Sequence, residues 1–122
     1  MTDAATRRRV LIVEDEAALL RVYERRYGNR YHLALAESGA QARRLFETFA
    51  PEVVVLDLQL PDADGVDLLR EFRAANPSLP VLITSAYASM KPVVEVLGLE
   101  HSGYLVKPFD LDELGHCIDD LH

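Results

Sequence analysis

Acidic residues follow two apolar segments of this sequence, where their carboxylates can act together. Glu14 and Asp15 come directly after the run Val10–Val13. Asp57 comes directly after a second run, Val53–Leu56. Carboxylates that pack together repel one another unless a cation offsets their charge. The pattern favours a hard divalent cation, and Mg²⁺ fits better than Ca²⁺, because proteins hold Mg²⁺ by one or two carboxylates together with phosphate oxygens.

A hydroxyl and a positive charge follow the next two apolar segments. Ser85 comes shortly after Val81–Ile83, and Lys107 comes directly after Tyr104–Val106. Lys107 is one of only two lysines, and its neighbours are mostly apolar, which is unusual for a merely solvated charge. Three acids and one lysine leave a deficit of two positive charges that a divalent cation balances. A neutral pocket of this kind suits an anionic phosphoryl group.

Asp57 is the nucleophile that this chemistry predicts. Phosphoryl transfer needs positioning and charge neutralisation more than covalent machinery, and aspartate carboxylates accept phosphoryl groups. Proline and glycine within residues 58–65 hold the backbone open over the predicted site. The backbone carbonyl of Gln59 can add a further metal ligand.

Each of these residues has a plainer interpretation when it is taken alone. Asp57 can cap a turn, and Asp15 can be the N-cap of a helix. Ser85 can be a loop hydroxyl, Lys107 a solvated charge and Tyr104 a half-buried core aromatic. Their convergence at the ends of successive apolar segments favours a common site.

Strands and helices alternate along the chain, and this order predicts how the candidate residues are positioned. Three of the strand-like runs are apolar at every position, as strands covered on both faces are. N-cap signals at Ser38 and Asp110 mark the starts of two helices. The predicted strands are residues 10–13, 31–36, 53–56, 81–83 and 104–106, and the predicted helices include residues 16–27, 39–49 and a last helix that carries Leu111, Leu114, Ile118 and Leu121 on one face.

The alternation predicts an α/β fold, a doubly wound five-stranded parallel sheet flanked by five helices. In such sheets, ligands bind beyond the carboxyl ends of the strands, at the point where the strand order reverses. If the strand order is 2-1-3-4-5, the first and third strands are neighbours at that point. Asp15 and Asp57 then come within reach of one ligand.

Composition narrows the function classes. The 122 residues fit a single domain, with residues 1–6 as a flexible extension, and 49% hydrophobic residues suffice for a core. A net charge of -7 disfavours direct binding to nucleic acid, which needs a basic face. Without a long apolar segment or a signal-like start, and with Cys117 as the single cysteine, we expect a cytoplasmic protein that does not enter membranes. The four histidines lack zinc-ligand spacing.

Five short motifs stand at the predicted strand ends: Glu14-Asp15, Leu56-Asp57-Leu58-Gln59-Leu60-Pro61, Asp64-Gly65, Ser85-Ala86 and Tyr104-Leu105-Val106-Lys107-Pro108-Phe109. In this order they resemble the receiver domain of two-component response regulators, and the resemblance spans nearly the whole chain. It implies the flavodoxin-like receiver fold and a role in signal transduction through a phosphorelay. It also implies that the chain is not a metabolic enzyme, although it promotes its own phosphorylation and dephosphorylation.

The resemblance implies a role for each acidic residue. Asp57 accepts a phosphoryl group from the histidine of a sensor kinase or of a phosphotransfer protein. Asp15, Asp57 and the backbone carbonyl of Gln59 bind Mg²⁺, and Glu14 assists through water.

The resemblance also implies how the signal leaves the site. Ser85 and Lys107 contact the phosphoryl oxygens, Ser85 moves toward the phosphoryl group, and Tyr104 swings inward. These movements remodel the surface of helix 4, strand 5 and helix 5, which binds a downstream effector. Gln59 and Tyr87 line the mouth of the pocket and set how readily water attacks the acyl phosphate. The Lys107–Pro108 bond is expected to be cis.

The sequence departs from the family pattern in three places. Glu14 stands where aspartate is commoner, and Glu100-His101 stands where a small pair is usual. Proline is tolerated only in the first turn of a helix, so Pro92 predicts that the fourth helix begins near Lys91.

Three other functions compete with a phosphoacceptor. A phosphorylation-independent interaction module would use the same fold with a different signal. An aspartate-dependent phosphohydrolase would need a second acid close after Asp57, which Leu58-Gln59 does not supply. A flavin-binding module would cradle phosphate after the first strand, where Glu14-Asp15-Glu16 has the wrong charge.

Overall fold

The computed structural model of the chain describes residues 7–96 and 102–121, and the side chains at 93, 94 and 96 are not described. The predicted flexible extension over residues 1–6 and the departure at Glu100-His101 lie outside the described residues. In the described part, strands and helices alternate as the sequence predicts. The strands are β1 (Arg9–Val13), β2 (His32–Ala36), β3 (Val53–Asp57), β4 (Val81–Ser85) and β5 (Gly103–Val106), and the helices are α1 (Ala17–Tyr27), α2 (Gly39–Phe49), α3 (Gly65–Ala75), α4 (Met90–Val96) and α5 (Leu111–Asp119).

The strands form one parallel sheet in the order β2-β1-β3-β4-β5, which confirms the predicted topology. Ile12 of β1 lies opposite Leu35 of β2 on one side and Val55 of β3 on the other. The strand order reverses between β1 and β3, so the binding crevice of this fold lies at their carboxyl ends. Glu14 and Asp57 stand at those two ends.

Both faces of the sheet are covered, because successive residues of a strand point to opposite sides. In β1, Leu11 and Val13 belong to a core cluster with residues of α2 and α3. Val10 and Ile12 belong to a second cluster, with residues of α1 and α5. This double coverage explains why β1, β3 and β4 are so uniformly apolar.

Side chains cap the helices at the predicted starts. The Ser38 Oγ atom accepts from the Gln41 N–H at 3.2 Å, and the Gln41 side chain accepts from the Glu37 N–H at 2.7 Å. The Asp110 Oδ1 atom accepts from the Asp112 N–H at 2.8 Å. These bonds satisfy N–H groups that the first helical turn leaves without partners.

The start of α4 agrees with the position of Pro92. α4 has seven residues and begins at Met90, one residue before Lys91. Pro92 therefore lies in its first turn, where the missing N–H of proline breaks no helical hydrogen bond.

No helix in the described part of the chain has the length and apolar character needed to cross a membrane.

Polar side chains at the end of α1 and in the turn that follows it hold the last helix in place. The Tyr31 hydroxyl donates to Asp119 Oδ1 at 2.6 Å, and Arg30 pairs with the same carboxylate. The Tyr27 hydroxyl donates to the carbonyl of Leu111. These contacts fix α5 against α1 and hence against one face of the sheet.

Candidate functional site

Three carboxylates meet at the carboxyl edge of the sheet. Glu14 and Asp15 follow β1, and Asp57 is the last residue of β3. One oxygen from each of the three lies within 4.8 Å of the others. Glu14 and Asp57 are buried, whereas Asp15 is exposed. The cluster is thus open to solvent at Asp15.

Lys107 reaches into this cluster from the end of β5. Its Nζ atom donates to Glu14 Oε1 at 2.5 Å and to Asp57 Oδ2 at 2.8 Å. The lysine side chain is 22% exposed and each carboxylate side chain 2%, so both ion pairs are largely shielded from water. Three carboxylates and one ammonium leave this site with a formal charge deficit of two.

The burial of these charges shifts their ionisation. Burial raises the pKa of Glu14 to about 7, and the nearby charge of Asp57 adds to the increase, although the hydrogen bond from Lys107 opposes it. Burial by itself would lower the pKa of Lys107. The hydrogen bonds to Asp57 and Glu14 outweigh that effect, and the pKa of Lys107 is raised. Lys107 is therefore a fixed positive charge.

The loop between β3 and α3 fixes the second oxygen of Asp57. The Gln59 N–H donates to Asp57 Oδ1 at 2.9 Å. The Gly65 N–H donates to the Leu58 carbonyl at 3.2 Å, which closes the loop on itself. A Cβ atom at Gly65 would lie 2.4 Å from the Leu58 Cα atom, so this close approach requires glycine.

Ser85 and its neighbours form a hydrogen-bonded network with Gln59. The Gln59 Oε1 atom accepts from Ser85 Oγ at 3.1 Å and from the Ala86 N–H at 3.1 Å. The Ser85 Oγ atom accepts in turn from the Tyr87 N–H at 3.0 Å. The Tyr104 hydroxyl donates to the Tyr87 carbonyl at 2.6 Å. The loop after β4 therefore links Gln59 to Tyr104.

The predicted site residues lie around this edge of the sheet, though they do not all touch. Asp57 and Lys107 are in direct contact. Ser85 is linked to Asp57 through Gln59, and the Ser85 carbonyl accepts from the Lys107 main-chain N–H at 2.8 Å. The side chain of Tyr87 is exposed, and Tyr104 packs partly against the core. The Lys107–Pro108 bond is cis. The roles assigned to these residues stay predictions.

Sequence reasoning missed two contacts in the site. It expected Gln59 to offer its backbone carbonyl to a metal and to line the mouth of the pocket, but not that the Gln59 side chain bonds Ser85 and Ala86. It expected Glu14 to assist a metal through water, but it did not include the direct contact between Glu14 and Lys107. The apolar neighbours of Lys107 hint at a buried partner for its charge. No pattern in the sequence fixes the conformation of the loop that aims the Gln59 side chain.

Fold and site together define a class of protein: a doubly wound α/β domain with an acidic pocket, closed by one lysine, at the carboxyl edge of its sheet. Comparison with known proteins gives the family. The family model described as the response regulator receiver domain matches residues 10–119. The chain belongs to this family, whose members are signalling domains of two-component systems rather than metabolic enzymes.

Relatives and solved structures agree with this membership. The regulatory protein AtoC of Escherichia coli is 36% identical over 107 residues, which are 87% of this chain and 23% of AtoC. The receiver domain of the Francisella response regulator 1452 has a TM-score of 0.83 and 31% identity, covering 93% of this chain and 95% of that one. The response regulator TrrA of Thermotoga maritima, in complex with Mg²⁺-BeF, has a TM-score of 0.82 and 25% identity, covering 94% of this chain and 99% of that one.

Proposed function

We propose that Asp57 accepts a phosphoryl group from the phosphohistidine of a sensor kinase or of a phosphotransfer protein, with Mg²⁺ bound beside it. The observation that carries this proposal is the arrangement around Asp57. Its carboxylate lies in a cluster of three acids, with Lys107 on one oxygen and the Gln59 N–H on the other. The two hydrogen bonds supply the positioning that phosphoryl transfer needs, Lys107 supplies part of the charge neutralisation, and a divalent cation would supply the rest.

The donor set fits Mg²⁺. Glu14, Asp15 and Asp57 offer hard oxygen ligands within 4.8 Å of one another, and the backbone carbonyl of Gln59 can add another. Burial raises the pKa of Glu14 to about 7 and the nearby charge of Asp57 adds to the increase, so a cation bound here would favour the ionised carboxylate. When bound there, Mg²⁺ neutralises the carboxylates and draws electron density from a phosphoryl oxygen.

The chemical step needs only groups that this chain supplies or binds. One Asp57 carboxylate oxygen attacks the phosphorus atom, a P–O bond forms, and the P–N bond breaks with its electron pair leaving on the imidazole. Lys107 and Ser85 donate hydrogen bonds to the phosphoryl oxygens as the group arrives. The switch is reset by hydrolysis: water attacks the phosphorus atom, the bond to Asp57 breaks, inorganic phosphate leaves, and the Asp57 carboxylate is restored.

The switch follows from the new acceptor on Asp57. Ser85 moves toward the phosphoryl group, and Tyr104 follows, because the Tyr87 main chain contacts both residues. A hydrogen bond to a charged group is worth about 1.5–3 kcal/mol. Two such bonds approach the roughly 5.5 kcal/mol that takes a two-state equilibrium from 1:99 to 99:1.

The response is read by a partner protein in the cytoplasm. The surface made by α4, β5 and α5 adjoins Tyr104 and Lys107, so it is the surface that a downstream effector protein or domain would bind. Tyr87, at 58% exposure, stands at the mouth of the pocket and would limit the access of water to the acyl phosphate. The identity of the kinase and of the effector is a separate question from this chemistry.

The phosphoacceptor is tested by replacing it. We expect wild-type protein to gain one phosphoryl group from phosphoramidate in the presence of Mg²⁺, and Asp57→Asn to gain none, as measured by intact mass. Asp67→Asn, an exposed change on α3, is the matched control and should be labelled like wild type. Labelled Asp57→Asn would place the acceptor on another residue.

A phosphorylation-independent interaction module is separated by a binding experiment. Isothermal titration of the wild-type chain with Mg²⁺ and beryllofluoride should give saturable binding if Asp57 is a phosphoacceptor. Absence of binding by either would favour the interaction module instead.

A further inference from the structure

Gln59 connects the phosphoacceptor to hydrogen-bond donors at the end of β4 and directly after it. Its main-chain N–H donates to Asp57 Oδ1 at 2.9 Å. Its Oε1 atom accepts from Ser85 Oγ and from the Ala86 N–H, both at 3.1 Å. A main-chain N–H can only donate, so the Gln59 atom that faces Ala86 is the amide oxygen, and the orientation of the amide is fixed.

Building on the proposed function, we propose that the Gln59 amide is a latch that competes with the phosphoryl group. While Asp57 is unmodified, the amide oxygen binds the Ser85 hydroxyl and the Ala86 N–H. A phosphoryl oxygen on Asp57 needs the same donors and displaces the amide. Gln59 therefore weakens the binding of the phosphoryl group and holds the loop after β4 in its resting position.

The exchange of acceptors has a favourable direction. The amide oxygen is neutral, whereas a phosphoryl oxygen is charged, and hydrogen bonds to charged acceptors are roughly twice as strong as neutral ones. Gln59 is only partly buried, so its displaced amide can regain hydrogen bonds from water. Phosphorylation therefore opens the latch. The net gain in free energy is smaller than it would be without Gln59, because two hydrogen bonds to its amide oxygen are lost.

The latch also acts on the aromatic switch residue. Ser85 has one hydroxyl proton and two acceptors in reach, the Gln59 amide oxygen at 3.1 Å and the Tyr87 carbonyl at 3.2 Å. The Tyr104 hydroxyl already donates to that carbonyl at 2.6 Å. The Ser85 proton can go to only one of these acceptors at a time. When it goes to Gln59, the amide and Tyr104 hold the loop from its two sides.

Two substitutions separate the amide from its bulk. Gln59→Met keeps a side chain of similar length but replaces the amide with a thioether, which is a weak acceptor. Gln59→Ala removes both the amide and the bulk. Every variant keeps the main-chain hydrogen bond to Asp57. Gln41→Met, at the only other glutamine of the sequence, is the matched control.

Isothermal titration with beryllofluoride in saturating Mg²⁺ tests the competition. We expect both Gln59→Met and Gln59→Ala to bind about fivefold more tightly than wild type, the equivalent of about 1 kcal/mol or one net hydrogen bond. Gln41→Met should bind like wild type. Unchanged or weaker binding by Gln59→Met would overturn the latch, and so would tightening in Gln59→Ala alone, because bulk would then be the cause.

A second measurement uses no phosphoryl analogue. Hydrogen exchange of the Ala86 main-chain N–H, followed by NMR without ligand, should be about fivefold faster in Gln59→Met than in wild type, because this N–H loses its acceptor on Gln59. An unchanged rate would overturn the latch while leaving the phosphoacceptor intact. If wild type fails to bind beryllofluoride, the proposed function fails and the competition fails with it.

Discussion

Lys107 holds together two buried carboxylates that otherwise repel each other. Its ammonium group contacts Glu14 and Asp57, and nothing else in the described contacts of this cluster carries a positive charge. A divalent cation at the acidic cluster would also reduce the repulsion between these carboxylates. We therefore expect Lys107 and Mg²⁺ to be partial substitutes for each other in stabilising the unphosphorylated chain.

This substitution is measurable in Lys107→Met. Removing one partner of a buried ion pair is destabilising, and we expect a loss of up to about 3 kcal/mol in the free energy of unfolding without Mg²⁺. Saturating Mg²⁺ should shrink that deficit, because the cation neutralises the two buried carboxylates that lose their partner. Urea denaturation with and without Mg²⁺ measures both values.

Lys91→Met is the matched control for this prediction. Lys91 is the other lysine of the sequence and is exposed on α4. Its replacement should change the free energy of unfolding by less than about 0.5 kcal/mol, with or without Mg²⁺. A Lys107→Met deficit that is the same in both conditions would contradict the partial substitution.

At the scale of single residues, the sequence identified the charged groups of the site but not all of their contacts. Lys107 stood out because apolar residues flank it, and Asp57 because it ends a buried run. The partners of Gln59 depend on how the chain turns between β3 and α3. Residue types such as proline and glycine indicate a turn but do not fix its exact path, so the amide contacts with Ser85 and Ala86 were not predictable.

Among the elements, the turn between β3 and α3 has the tightest geometry. A Cβ atom at Gly65 would lie 2.4 Å from the Leu58 Cα atom and 2.7 Å from the Leu58 carbonyl oxygen. Both are backbone atoms and cannot rotate away. Because the same turn presents Gln59 to Asp57, any displacement of Leu58 also displaces the hydrogen bond on the phosphoacceptor.

We expect Gly65→Ala to destabilise the chain by about 1–3 kcal/mol, the usual cost of forcing an extra group into a packed position. It should also slow labelling of Asp57 by phosphoramidate, because the turn shifts. Gly103→Ala is the control, since its new Cβ atom would meet only the end of the flexible Leu82 side chain, at 2.9 Å. Equal effects of the two substitutions on labelling would argue against a role for the turn.

How well an element could be predicted depended on its place in the sheet. β1, β3 and β4 lie inside the sheet and are covered on both faces, so their uniform apolar sequences were unambiguous. β2 and β5 are the edge strands, and their partly exposed residues weaken the pattern. Pro92 restricted where α4 begins, and the helix does begin beside it. How clearly the sequence predicted each strand therefore depended on the position of that strand in the sheet, which the sequence shows only indirectly.

At the scale of the whole molecule, the site is assembled from the ends of four strands. Glu14 follows β1, Asp57 ends β3, Ser85 ends β4 and Lys107 follows β5. None of these groups can meet before the sheet is paired, so a ligand that needs all of them binds only the folded chain. Such a ligand stabilises the fold in proportion to its occupancy.

Beryllofluoride with Mg²⁺ should therefore raise the unfolding temperature of the entire chain. Free ligand at about 100 times its Kd adds about 2.7 kcal/mol, which for a domain of this size corresponds to a rise of roughly 10 °C. Differential scanning calorimetry should record that rise for wild type and for Asp67→Asn, and a much smaller one for Asp57→Asn. An equal rise in Asp57→Asn would mean that the ligand binds away from the acidic cluster, because an amide cannot supply the carboxylate oxygen that beryllium and the cation need.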